Sequence, residues 1–200
     1  MLPVRRWALL SSGCAPVLLI AGWAVAAILE GPSYDPTSET ISVLGAYGAS
    51  GYWIMTGAFL ALGLCHVLTA LALRAAALPG RLALAGGGAS AVAVVLVPTP
   101  SSGGSLSHGA VAAAGFTLMA VWPVLAATSE REAPWALRPI PSRVASAAMV
   151  LSAAWFVYEL DRQGAPGTAE RVVTALQSLW PFVVVVSCLR HDGEVRAMPS

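Results

Sequence analysis

Residues 31–51 read GPSYDPTSETISVLGAYGASG. The interval holds two acids, four serines, two threonines and two prolines, and it separates two long stretches without charge. Arg6 to Glu30 encloses 23 uncharged residues, and Glu39 to Arg74 encloses 34. A helix needs about 20 apolar residues to cross the ~30 Å hydrocarbon core of a bilayer. The interval therefore reads as the connection between two membrane spans, and the rest of the chain yields to the same measure.

Arg81 to Glu130 encloses 48 uncharged residues, too many for one span, and the segment PTPSSGGS divides them. Arg143 to Glu159 encloses 15, and Arg171 to Arg190 encloses 18. We expect six helices, near 7–29, 52–73, 82–98, 105–127, 141–160 and 169–189. Helix is required because backbone groups in hydrocarbon must be paired within their own segment. Composition agrees: 57% of the 200 residues are hydrophobic and 10% are charged, against about 25% charged in soluble domains. The expectation is an all-α, polytopic membrane helical bundle forming one domain over residues 1–200.

Arginine placement sets the orientation. Every basic residue is Arg, which together with the Ala, Gly and Val content suggests a GC-rich bacterial genome. With six spans, Arg5, Arg6, Arg74, Arg81, Arg131, Arg138, Arg143, Arg190 and Arg196 share one side, and only Arg162 and Arg171 lie on the other. Both termini are then cytoplasmic, and the 31–51 interval, the 99–104 turn and the 161–168 loop are external. The apolar core of the first span exceeds a signal-peptide h-region, so the span reads as retained. The expected location is the inner (plasma) membrane, and a net charge of +1 gives no reason to expect a nucleic-acid partner.

Cys14, Cys65 and Cys188 all fall within spans and show no pairing or ligand spacing. LALAGGGASAVAVV in the third span reads as a closely packed helix, or as a thin wall beside a cavity. Pro123 and Pro181 lie inside spans. Trp7, Trp53 and Trp135 lie near span ends, where interfacial tryptophans belong.

The candidate chemistry lies at the external face. Asp35, Glu39, Glu159 and Glu170 are candidate acids. Arg171, one step into the last span, calls for an acidic partner or a cavity. His108, Arg171, Ser42, Tyr158 and Trp155 are candidate binding residues. SETIS reads as a helix start capped by Ser38 and ISVLGAYG as a short interfacial helix, so the interval should fold over the helix ends as a lid. Thr168 reads as the cap of the last span, with Glu170 suited to the positive end of its dipole.

Three elements carry a resemblance to a known family. They are Ser42, Leu44 and Gly45 in ISVLG, His108 and Gly109 in SHG, and Gly167, Glu170 and Arg171 in GTAER. In their order and spans they resemble the bacterial domain of unknown function 998 family. The resemblance implies membrane architecture and no particular reaction. Where members often carry an acid before the His element, this chain has PTPSSGGS.

Several chemistries find no support. His66 lies about 14 residues into the second span, ~20 Å down at 1.5 Å per residue, and His108 reads as lying at the opposite end of the membrane. A shared metal is not expected, nor is any cofactor. No Gly-rich phosphate loop or G-x-S-x-G elbow occurs. Charge is missing from the middle of every span, which argues against a proton-coupled pump. Two classes stay open. One is a non-catalytic membrane protein that handles a lipid or isoprenoid-like molecule or assists assembly, with the charges as a clasp. The other is an intramembrane enzyme on lipid or isoprenoid substrates, using an outer carboxylate for acid catalysis or acyl transfer.

Overall fold

The computed structural model describes residues 7–100, 104–130 and 132–197, and all regular structure among them is helical. Its helices are α1 (Trp7–Glu30), α2 (Ile41–Leu44), α3 (Tyr52–Ala72), α4 (Leu78–Val94), α5 (Leu106–Ala126), α6 (Pro139–Arg162) and α7 (Pro166–Ala197). A 3₁₀ helix, Trp135–Leu137, precedes α6. Of the arginines used for orientation, Arg5, Arg6, Arg131 and the Arg196 side chain lie outside what is described, as do residues 101–103 of the PTPSSGGS segment.

Helices α1, α3, α5, α6 and α7 are long and apolar enough to cross a membrane. Helix α4 stands where the third span is expected. Its 17 residues cover about 26 Å at 1.5 Å per residue. It starts at Leu78, four residues before the expected boundary, because Pro79 fits the first turn of a helix, where its missing N–H is not needed. Helix α6 likewise runs past Arg143 at one end and Glu159 at the other. The last helix continues beyond residue 189 to Ala197.

The six long helices close into a ring in chain order. Each packs on its neighbour in sequence, and α1 packs on α7 to shut the circle. Small residues make the tight crossings. A Cβ on Gly63 of α3 would strike the Gly88 carbonyl oxygen of α4, and one on Gly88 would strike that of Gly63. Such close approach is how membrane helices pack without a hydrophobic force between them. Toward the α3–α4 and α5–α6 loops, Leu73, Leu84, Trp122, Leu137, Val184 and Val185 form a fully buried core. At the other end, Ile41 and Leu44 of α2 pack with Ala26 and Met55. The 31–51 interval therefore folds inward over the ring as the expected lid.

Candidate functional site

Helix α2 is too short to hold itself, and its position is set from outside. Thr40 precedes it without a side-chain cap. Ser38, the expected cap, instead donates to Asp35 Oδ2 at 2.7 Å. The cap comes from the last helix: Glu170 Oε2 accepts the Ile41 amide, and Glu170 Oε1 accepts the Ser42 hydroxyl at 3.1 Å. Glu170 is 4% exposed. It sits just past the first turn of α7 and serves the N-terminus of another helix rather than its own. Helix α7 opens at Pro166, so Thr168 is inside it, and the Thr168 amide donates to the Thr37 carbonyl at 3.2 Å.

Ser42 also meets His108. Ser105 caps α5 by accepting the His108 amide at 3.2 Å. The His108 ring has Nδ1 3.0 Å from the Val97 carbonyl and Nε2 3.2 Å from Ser42 Oγ. A carbonyl only accepts, so Nδ1 donates, and in the neutral ring Nε2 is left as an acceptor. The single Ser42 proton then faces two acceptors, His108 Nε2 and Glu170 Oε1. Both contacts are full hydrogen bonds only when one further proton is held between His108 and Glu170.

Arg171 does not find the acidic partner expected of it. Its Nη1 donates to the carbonyls of Pro36 at 2.8 Å, Glu39 at 3.2 Å and Gly167 at 2.8 Å, and its Nη2 donates to Tyr34 Oη at 2.5 Å. The guanidinium also lies over the rings of Trp23 and Tyr34. Tyr34 in turn donates to the Glu39 carbonyl at 3.1 Å. Burial pushes the Tyr34 phenol above its ordinary pKa, opposed by the Arg171 hydrogen bond. At Gly167 a Cβ would collide with the carbonyl oxygens of Pro36 and Glu39, so only glycine lets the lid and α7 approach this closely.

The remaining candidate acids are tied to loop backbone. Asp35 accepts the Thr37 amide at 2.9 Å as well as the Ser38 hydroxyl. The Thr37 amide and the Ser38 hydroxyl hold the Asp35 carboxyl below its usual range. Glu39 Oε2 accepts the Asp35 amide at 2.8 Å. Glu159 belongs to a separate group on α6: it accepts the Trp155 indole N–H at 2.9 Å and the Ala165 amide at 2.7 Å, closing the α6–α7 turn. Tyr158 packs its ring under Arg162 at 5.5 Å. Thus Ser42, His108 and Glu170 form one node and Arg171 joins it to the Asp35–Glu39 loop. Trp155, Tyr158 and Glu159 stand apart.

Beneath the lid lies a cavity of about 100 Å³. Its lining comes from α1, α2, α3, α4, α5 and α7, and α6 contributes nothing. Ser42, His108 and Glu170 form its outer end. Gly87, Ser90, Ala91 and Val94 make α4 both a closely packed helix and a cavity wall. His66, expected far from His108, lines this same cavity, because the void runs some way down the ring from its outer end. Along α7, Glu170, Thr174, Gln177 and Ser178 face it, a spacing of i, i+4, i+7 and i+8 that marks one helical face. The 12 Å or so from Glu170 to Ser178, at ~1.5 Å per residue, measures its length. Sequence reasoning missed this row because it tracked charge, and three of the four residues are neutral. Among the described residues no three His, Cys, Asp or Glu side chains gather as a metal-binding group.

The three elements that carry the family resemblance thus meet at one point. ISVLG supplies Ser42, SHG supplies His108 and GTAER supplies Glu170 and Arg171. A family model described as "Protein of unknown function (DUF998)" matches residues 14–187. No curated protein and no solved structure matches the chain.

Proposed function

The chain belongs to the DUF998 family, and we propose that it is a non-catalytic, lipid-handling protein of the bacterial inner membrane that holds the end of one apolar molecule in the cavity under its lid. The observation that carries this reading is the cavity itself: about 100 Å³, mostly apolar, and lined by six helices. A void of this size has room for about three waters, at ~30 Å³ each, or for a short chain end. A pure clasp would need no space beneath it. Acid catalysis is disfavoured because each candidate carboxylate already accepts hydrogen bonds that hold the backbone. Glu170 accepts from Ile41 and Ser42, Asp35 from Thr37 and Ser38, Glu39 from Asp35, and Glu159 from Trp155 and Ala165.

The proposal includes six crossings in a single domain, with both termini cytoplasmic and the lid external. The closed ring of long helices in chain order supports it. So does the excess of arginine on one side. A C-terminal alkaline phosphatase fusion should be inactive and a green fluorescent protein fusion bright; the reverse overturns the topology.

The binding reading is tested by mass spectrometry of molecules that co-purify with the protein in nanodiscs. Ala112 lines the cavity, and Ala112→Phe fills it. A lipid or isoprenoid-like species present with the wild type and lost with a folded Ala112→Phe protein is the expected result. No such species, or one retained by the filled variant, refutes cavity binding.

A further inference from the structure

Along the inner wall of the cavity, four polar side chains each donate one hydrogen bond to backbone. Ser90 donates to the Val111 carbonyl at 2.6 Å, and Thr174 to that of Glu170 at 2.7 Å. Gln177 donates to the Phe116 carbonyl at 3.0 Å, and Ser178 to that of Ala175 at 3.2 Å. What these groups keep is mainly acceptor capacity, in hydroxyl lone pairs and the Gln177 amide oxygen, beside the second Gln177 N–H.

His66 is the exception. It is 3% exposed, and its Nδ1 has no hydrogen-bond partner. Among the described residues, four buried side-chain atoms lack partners: His66 Nδ1, Thr99 Oγ1, Trp122 Nε1 and Trp180 Nε1. Of these four residues, only His66 lines the cavity. Leaving a buried polar group unpaired is costly, so a cavity-lining imidazole with an unpaired nitrogen is a place where a ligand gains by bringing a partner.

We infer that His66 is the recognition residue of this cavity and that its ligand is an apolar molecule carrying one neutral hydroxyl. The inference rests on the binding reading above and names the ligand class. A neutral imidazole has one donor and one acceptor nitrogen, and a hydroxyl serves either. The acceptors that line the same cavity, on Ser90, Thr174, Gln177 and Ser178, can take the hydroxyl proton. A ketone or an ester brings no donor. An ammonium brings a charge that no cavity-lining carboxylate is free to meet, because Glu170 is engaged with Ile41 and Ser42 at the outer end. The apolar remainder lies against Leu62, Phe116 and Met119.

The test uses the full chain in nanodiscs, with methyl-labelled methionine, and follows the Met119 methyl resonance by NMR. The probes are 1-butanol, n-pentane and 1-butylamine, which share one size. Each affinity is corrected for partitioning into empty nanodiscs. The expected result is that 1-butanol binds about tenfold more tightly than n-pentane, the ratio that one well-made hydrogen bond supplies. His66→Leu should equalise the two probes, and His66→Gln, which keeps a donor and an acceptor, should restore the preference. Should His66→Leu not fold, the wild-type ratio and His66→Gln still decide. Equal binding of alcohol and hydrocarbon, both lost in Ala112→Leu, overturns this inference and leaves the cavity reading standing. Tighter binding of the amine overturns the hydroxyl class. If no probe shifts Met119, or Ala112→Leu leaves binding unchanged, both readings fall together.

Discussion

The rim of the ring and the deep wall of its cavity treat polar groups in opposite ways. At the rim, side chains open to their surroundings are nonetheless tied down: Asp35 is exposed and holds two donors, and partly exposed Arg171 holds three carbonyls and a phenol. In the deep wall, His66 is shut away and its Nδ1 has no partner. Water or lipid head groups would satisfy the rim groups at little cost, so their internal bonds report a loop that must hold one shape. Among the described residues, no side chain or backbone group meets the His66 Nδ1. The first pattern is what a latch requires, and the second is what the proposed binding site requires.

Changes at the latch should have the largest effects. Glu170→Ala removes the acceptor for the Ile41 amide and the Ser42 hydroxyl, and should lower unfolding stability in nanodiscs by about 3 kcal/mol, since a hydrogen bond is worth ~0.5–1.5 kcal/mol and leaving the buried Ile41 amide unpaired costs ~1–3 kcal/mol. A loss below about 1 kcal/mol would mean that the lid is held mainly by the packing of Ile41 and Leu44. Gly167→Ala should come next, at about 2 kcal/mol, because overpacking against fixed backbone costs ~1–3 kcal/mol. A neutral result would show that the lid can lift away from α7. Ser42→Ala should cost about 1 kcal/mol, the usual worth of one hydrogen bond, and should shift the His108 ring resonances as well.

At the deep wall the sign should reverse. His66→Leu replaces an unpaired polar group with an apolar one of similar size, and should raise ligand-free stability by about 1 kcal/mol. Destabilisation instead would remove the contrast between the two regions. The smallest effect belongs to Asp35. Its folded-state pKa lies below the ordinary value of 3.8, so its contribution is present above that pH and fades as the pH falls through the lower folded value. An acid titration of lid hydrogen exchange should therefore show the wild type approaching Asp35→Asn only below the ordinary carboxylate range. A difference that vanished already near neutral pH would point to another group.

The sequence makes the spans legible because hydrocarbon forbids charge, and charge is easy to count. The inward fold of residues 31–51 was legible too, since α2 carries Ile41 and Leu44 on a face that has to be buried. What escaped was the direction of individual bonds. Glu170 suits the dipole of its own helix, and nothing local says that it reaches Ile41. Arg171 invites an acid, but a loop folded against it offers carbonyls, which the sequence hides because every residue has one. Pro79 moved the start of α4 to Leu78. His66 was read only as lying too deep to share a metal with His108, and the row Thr174, Gln177 and Ser178 went unread because neutral polar groups leave no gap in a hydrophobic run. Their meaning depends on which helices close the ring.

The latch joins Ile41 to Glu170, positions 129 residues apart. A nascent chain threaded into the bilayer from its N-terminus has made α1 and the lid long before α7 emerges from the ribosome. Until then the lid has its packing on Ala26 and Met55, and it gains the Glu170 hydrogen bonds when the final helix arrives. Completion of synthesis is thereby written into the lid, whose last hydrogen bonds come only from the final helix.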